Sequence, residues 1–277
     1  MTLLLALVIS LTVSTREEAP TLLRRVIESQ KRQQELTREY AFRETTVTRE
    51  LDSEGRVEKT ESEEVLVTPG PEGEYRRVVG KDGKPLSSEE ELKEERKFQK
   101  YLKEQLRQSP EERDRKTKEK LDRRVKRFQE RLTEAIEVFD FEARPDEIVQ
   151  NVPLRVFRFS PKAGYEGHSR STKILARMEG TVWIDPEHNQ LAKLRVRFVK
   201  SLKFLGGVFG RVSEGSEAEA EGWFDGEGVW LLDDIAVSLN ARLYFVKTYR
   251  QRIDIDYHDY QRYRVATEEK LKPPSRK

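Results

Sequence analysis

Leu191-Ala192-Lys193-Leu194-Arg195-Val196-Arg197-Phe198 sets an apolar side chain at every second position with basic ones between, and Ile235-Ala236-Val237-Ser238-Leu239-Asn240-Ala241-Arg242-Leu243 repeats the period. Successive side chains of an extended strand point to opposite faces, so this alternation draws one dry face and one wet face. It recurs from Thr181 to Tyr263, with turn residues at Asp185–Gln190 and at Asp225-Gly226-Glu227-Gly228. That is the signature of an antiparallel sheet. Leu194, Val196, Phe198, Val237, Leu239 and Leu243 fall on the dry face. Glu217, Glu219 and Glu221 alternate with Ala218 and Ala220, so the acidic strand is expected beside Lys193, Arg195 and Arg197 on the wet face.

Upstream, Val152 to Phe159 continues the sheet, and Tyr40–Thr48, Val57–Val67 and Tyr75–Val79 read as three short strands separated by turns at Asp52–Gly55 and Pro69–Gly73. Between them and Val152 the composition changes. Ser87 to Asp140 carries 16 basic and 15 acidic residues and no glycine. Ser88-Glu89-Glu90-Glu91 matches a capping box, and Ser109-Pro110-Glu111-Glu112 marks a second helix start, because proline at the first helical position gives up only an amide without a partner. Two helices broken at Ser109 are predicted. Leu121, Val125, Phe128, Leu132, Ile136 and Phe139 make one apolar stripe on the second; Leu92, Phe98, Tyr101, Leu102 and Leu106 make a rougher one on the first. Such stripes lie against another helix or the sheet, or form a mobile lid or a partner-binding arm. A further amphipathic helix is read over Pro20–Glu39, from Leu22, Leu23, Val26, Ile27 and Leu36.

The ends bound compartment and partners. Leu3 to Val13 is an apolar run too short to span a bilayer, followed by Arg16-Glu17-Glu18, and it reads as the core of a signal peptide over residues 1–15. Export to the periplasm follows, with residues 16–265 as the working domain, 88–140 as a helical insertion and 266–277 as a disordered tail. No cysteine is present, so an exported fold of this length is held by its hydrophobic core. The net charge of +2 across 277 residues supplies no global field to gather nucleic acid or an anionic membrane, which leaves only local patches, and no segment is long and apolar enough to span a membrane.

Catalytic signals are sparse. Asp254, Asp256 and His258 stand at alternate positions, where a hard metal could use them, yet half-exposed strands give the same alternation. The histidines His168, His188 and His258 lack paired ligand spacing, and no Gly-x-Ser-x-Gly elbow occurs. Trp183, Trp223 and Trp230 read as sheet core. No cofactor and no enzymatic activity are expected.

The apolar run, the first helix, the strand beginning Tyr40-Ala41-Phe42-Arg43-Glu44, and Gly180-Thr181-Val182-Trp183-Ile184-Asp185 followed by Leu191-Ala192-Lys193-Leu194 together resemble the outer-membrane lipoprotein-sorting (LolA-like) superfamily. The resemblance implies an α+β fold, an open antiparallel half-barrel whose concave apolar face is covered by helices and takes up acyl chains of lipids or lipoproteins. The segment 88–140 is longer than the helical cover of those carriers, and no family site residue maps onto this chain. The expected ligand-binding surface is then Leu194, Val196, Phe198, Val237, Leu239 and Leu243, with Phe128, Leu132 and Phe139 beneath the cover. The alternative is a structural or regulatory envelope protein with a filled half-barrel that binds a protein partner through its helices.

Overall fold

The computed structural model describes residues 15–70, 73–204, 210–243 and 247–263. The signal-peptide run and the tail expected after residue 265 lie outside the described residues. The strands are β1 (Tyr40–Leu51), β2 (Val57–Gly70), β3 (Gly73–Lys81), β4 (Lys84–Pro85), β5 (Phe139–Val149), β6 (Val152–Pro161), β7 (Met178–Asp185), β8 (Gln190–Phe198), β9 (Leu202–Phe204), β10 (Gly210–Val212), β11 (Glu217–Phe224), β12 (Trp230–Leu243) and β13 (Lys247–Arg262). The helices are α1 (Thr15–Thr37), α2 (Ser88–Leu106), α3 (Pro110–Val138) and α4 (Arg170–Leu175). The strands form one open antiparallel sheet in the order β4-β3-β2-β1-β13-β12-β11-β8-β7-β6-β5, with β9 and β10 hanging from β12. The fold is thus an α+β open half-barrel.

Two of the sequence expectations are corrected. The first strands are long, at 12, 14 and 9 residues, because each is held by a long neighbour in the sheet. The first capping box is built on Ser87: its side chain accepts from the Glu90 amide while the Glu90 carboxylate accepts from the Ser87 amide. Serines stand at both 87 and 88, and the chain leaves β4 in time for the earlier one to take the extended backbone that a cap needs. The second helix starts as expected, with Ser109 accepting from the Glu112 amide at 3.2 Å and Pro110 following it.

The main core lies where helices meet the sheet. Ala19, Leu22, Leu23 and Val26 of α1 are buried against Leu132 and Val138 of α3 and against Phe139, Phe141, Phe157 and Phe159 of β5 and β6. Each fully buried side chain of this size contributes about 1.5–3 kcal/mol, so this cluster dominates the stability. A second cluster, with Leu154, Val156, Trp183 and Trp230, lies on the other face of the sheet. The stripe expected on α2 is only partly buried. Phe98 and Tyr101 rest on Tyr75 of β3, with ring centroids 5.1 and 4.6 Å away, while Leu92 and Leu106 are 56% and 80% exposed. Glu90 and Glu95 also pair with Lys81 and Arg77 of β3, while Leu92 and Leu106 fall outside the contact between helix and sheet.

Connectivity gives the helical segment a position of its own. It leaves β4 at one edge of the sheet and enters β5 at the other. Helix α3 is tied to β3 by a paired contact of Arg124 with Glu74, at 3.0 and 3.4 Å, and to α1 by the Gln129 amide donating to the Ile27 carbonyl. At 1.5 Å per residue, about 21 Å of helix separates Arg124 from Val138. The segment therefore forms a strap between the edges of the half-barrel.

Candidate functional site

Residues directly opposite in an antiparallel sheet share a face, so the register defines transverse rows. One row runs Phe141, Phe159, Gly180, Val196, Ala218, Val237, Ile253, Thr48, Glu61. The next runs Ala143, Phe157, Val182, Leu194, Ala220, Ile235, Ile255, Thr46, Glu63. Both begin in the core: Phe141, Phe159, Phe157 and Val182 are buried beneath α1 and α3. Leu194 and Val196 are half-buried and pack against that core. Beyond them the rows stay apolar through Ala218, Ala220, Ile235, Val237, Ile253 and Ile255, all half-buried, before turning polar at Thr46 and Thr48. Among the described residues no helix packs extensively on β11, β12 or β13.

Sequence shapes this strip. Strand β11 gives each row an alanine, flanked by Leu194 and Val196 on β8 and by Ile235 and Val237 on β12. Two strand spacings make about 10 Å, so the low methyl groups of β11 form a shallow apolar trough between two ridges. Its floor carries no hydrogen-bonding group, because the backbone of β8, β11, β12 and β13 is paired within the sheet. Such a surface receives hydrocarbon.

Phe198 and Leu239 extend the strip by one more row: both are half-buried, Phe198 opposite Met178 and Leu239 opposite Gln251. Leu243 pairs with Lys247 in register, but its side chain lies outside the described residues. Leu132 and Phe139 are buried in the core beneath the cover, and Phe128 packs half-buried against it. Ala218, Ala220, Ile253 and Ile255 are floor residues that the expected surface omits. Their signal is the apolar half of the same alternations that carry Glu217, Glu219, Glu221, Asp254 and Asp256.

The opposite face is a charge ladder in the expected register, Glu217 against Arg197, Glu219 against Arg195 and Glu221 against Lys193. Lys193 Nζ lies 2.9 Å from Glu219 and 2.7 Å from Glu221, and Arg195 grips Glu219 through two bonds. Hydrogen bonds from Arg195, and then from Lys193, lower the Glu219 carboxyl to about 2 despite partial burial. Asp254 and Asp256 also face this wet side. Asp254 is held by Arg49 and Arg252, and the His258 Nε2 lies 3.2 Å from the Thr45 hydroxyl. Among the described residues no group of three or more His, Asp or Glu is arranged to hold a metal.

The β7–β8 turn is fixed by Asp185, which is fully buried. Its carboxylate accepts from the indole of Trp230 at 2.9 Å, from the amides of Glu187 and His188, and contacts the His188 Nδ1 at 2.7 Å. Burial alone would raise its pKa, but these donors outweigh it and hold the carboxyl below the ordinary range. Gln190 clamps the same turn to the β11–β12 turn by donating to the Gly228 carbonyl and accepting from the Trp230 amide. Trp183 and Trp230 are buried; Trp223 is 40% exposed and stacks on Tyr260, which meets Phe42 at 5.2 Å. Phe42, Tyr257 and Tyr260 form an aromatic margin beside Ile255, and burial pushes the Tyr257 hydroxyl up to about 12.

No protein-family model and no curated protein matches the chain. Solved structures do. A DUF1329 family protein from Desulfovibrio piger is 10% identical, with 92% of this chain and 95% of that one covered, at a TM-score of 0.33. An outer membrane lipoprotein-sorting protein domain from Vibrio parahaemolyticus is 11% identical over 88% and 94% of the two chains, at 0.27. The MucA/MucB complex of Pseudomonas aeruginosa supplies a third, 12% identical over 89% and 99%, at 0.23. One of these carries the lipoprotein-sorting name that the sequence resembles, but such identities and TM-scores are too low to transfer the role of any residue.

Proposed function

We propose that the protein is a non-enzymatic periplasmic envelope protein that binds an acyl chain of a lipid or lipoprotein along the strip from Leu194 and Val196 across Ala218 and Ala220 to Ile253 and Ile255. The observation that carries this reading is that two apolar rows continue for three strands beyond the helical cover before ending in Thr46 and Thr48. A sheet filled by its own side chains would turn polar where the helices stop. Here a hydrocarbon chain would complete the burial, with α3 as cover. The apolar run Leu3–Val13 supports export, and residues 16–265 would act as one unit.

Each methylene buried is worth about 0.8 kcal/mol, so affinity for fatty acids should rise close to fourfold per carbon until the strip is full. Titration of a chain-length series, with mass spectrometry of lipid extracted from the purified protein, tests this. Affinity independent of length, with no co-purified lipid, would reject it. The exposed Leu92 and Leu106 of α2 favour the second reading, a protein partner on the helices, to which that result would point.

A further inference from the structure

The charge pattern of α3 changes along its length. Elsewhere on the helix opposite charges alternate one turn apart, as in Glu112 with Lys116, Arg115 with Glu119 and Lys126 with Glu130. Lys120, Arg123, Arg124 and Arg127 instead follow one another at steps of three, one and three, placing like charges side by side on a single face. Like charges at this spacing destabilise a helix. Among the described residues Arg123 and Arg127 make no ion pair, and the one carboxylate lining this face, Glu74, is already gripped by Arg124.

The face is solvent-exposed. It forms one wall of a half-enclosed cleft of about 390 Å³, closed on the other sides by Arg38, just past the end of α1, and by Gly73 and Glu74 at the start of β3. Among the described residues five cationic side chains and one carboxylate line the cleft, Lys120 having a partner of its own and Arg124 being held by Glu74. Arginine forks gathered around a cleft of this size match the geometry of phosphate oxygens.

We infer that the cleft bounded by Arg38, Lys120, Arg123, Arg124 and Arg127 is a binding site for a phosphate-bearing anion. The inference does not depend on the acyl-chain reading; the anion is either a lipid headgroup or a free phosphate compound. Binding of inorganic pyrophosphate is measured by calorimetry, and binding to phosphatidylcholine vesicles with and without phosphatidic acid by sedimentation. The intact protein is compared with an Arg123→Gln/Arg127→Gln variant and with Lys126→Gln, which removes a charge from another face.

The double variant should lose about tenfold or more in affinity for at least one probe, and Lys126→Gln should change it less than about twofold. Pyrophosphate binding alone identifies a soluble phosphate compound. Binding only to vesicles containing phosphatidic acid identifies a headgroup. Because removal of the two arginines relieves repulsion, the midpoint of thermal unfolding should stay level or rise. No binding to either probe, equal losses in the two variants, or a lowered midpoint with unchanged affinity would each overturn the inference, the last by making the arginines structural. Fatty-acid affinity measured on the same variants separates this result from the fate of the strip.

Discussion

At Asp185 a single carboxylate organises two turns, and its removal has a definite cost. Asp185→Ala leaves the Trp230 indole and two backbone amides without their acceptor in a buried setting, so unfolding in urea should show a loss of about 3 kcal/mol. The pH dependence follows from the direction of the shifts. Asp185 and Glu219 both titrate lower in the folded chain than when unfolded, so their contribution is complete above the ordinary carboxylate range and is lost as pH falls, for Glu219 through about 2. Stability should therefore decline from about pH 5 downward, and Asp185→Asn should flatten that decline. Gly180 is the other demanding position. A β-carbon there would run into the Arg195 carbonyl oxygen and stand 2.6 Å from the Phe159 ring, so Gly180→Val should prevent normal pairing of β7 with β8 and show as loss of cooperative unfolding. The turn at Asp185 is legible in the sequence from Asp-Pro and Asn between two alternating runs. Its partner Trp230 is not, because 45 residues of chain separate them and only the folded sheet brings the turns together.

Among the elements, the strap formed by α2 and α3 is held unequally at its two ends. Toward β5 it is fixed by burial of Leu132, Val138 and Phe139 with α1; toward β3 α3 is tied by the half-exposed Arg124–Glu74 pair, of a kind worth roughly 1 kcal/mol or less. Movement should therefore begin on the β3 side. If the strap gates the strip, raising the ionic strength should speed acyl exchange in stopped-flow displacement, and Glu74→Gln should be fast at low salt and insensitive to it. Phe128→Asp places a charge against the α1–α3 core and should cost about 3 kcal/mol, whereas a change within about 0.5 kcal/mol would mean that the helix is free of the core. The helices were legible because Ser109-Pro110 and a stripe at steps of four and three are local signals. Which side of α2 finds a neighbour was not, since Tyr75, Arg77 and Lys81 of β3 decide it and nothing near Leu92 or Leu106 encodes its absence.

For the whole molecule, the alternation of apolar and charged residues made the sheet and its two faces readable, together with the pairing of the acidic and basic strands. The extent of the strip was not, because it depends on where helical cover stops, a matter of tertiary placement. Ile253→Asp puts a charge on the floor at a half-buried position, so it should lower fatty-acid affinity about tenfold or more while leaving the chain folded by circular dichroism. Strand order carries one more consequence. Strand β1 is paired on one side by its neighbour β2 and on the other by β13, where Tyr40 meets Arg262 across nearly the whole described chain. Contacts so distant along the chain make for slow folding, since the entropy of closing the loop is spent before the pairing is gained. The two arms of the sheet cannot be joined until the last strand has arrived. If the chain is exported as proposed, such late closure would keep the early strands from locking while the rest of the chain is still in transit.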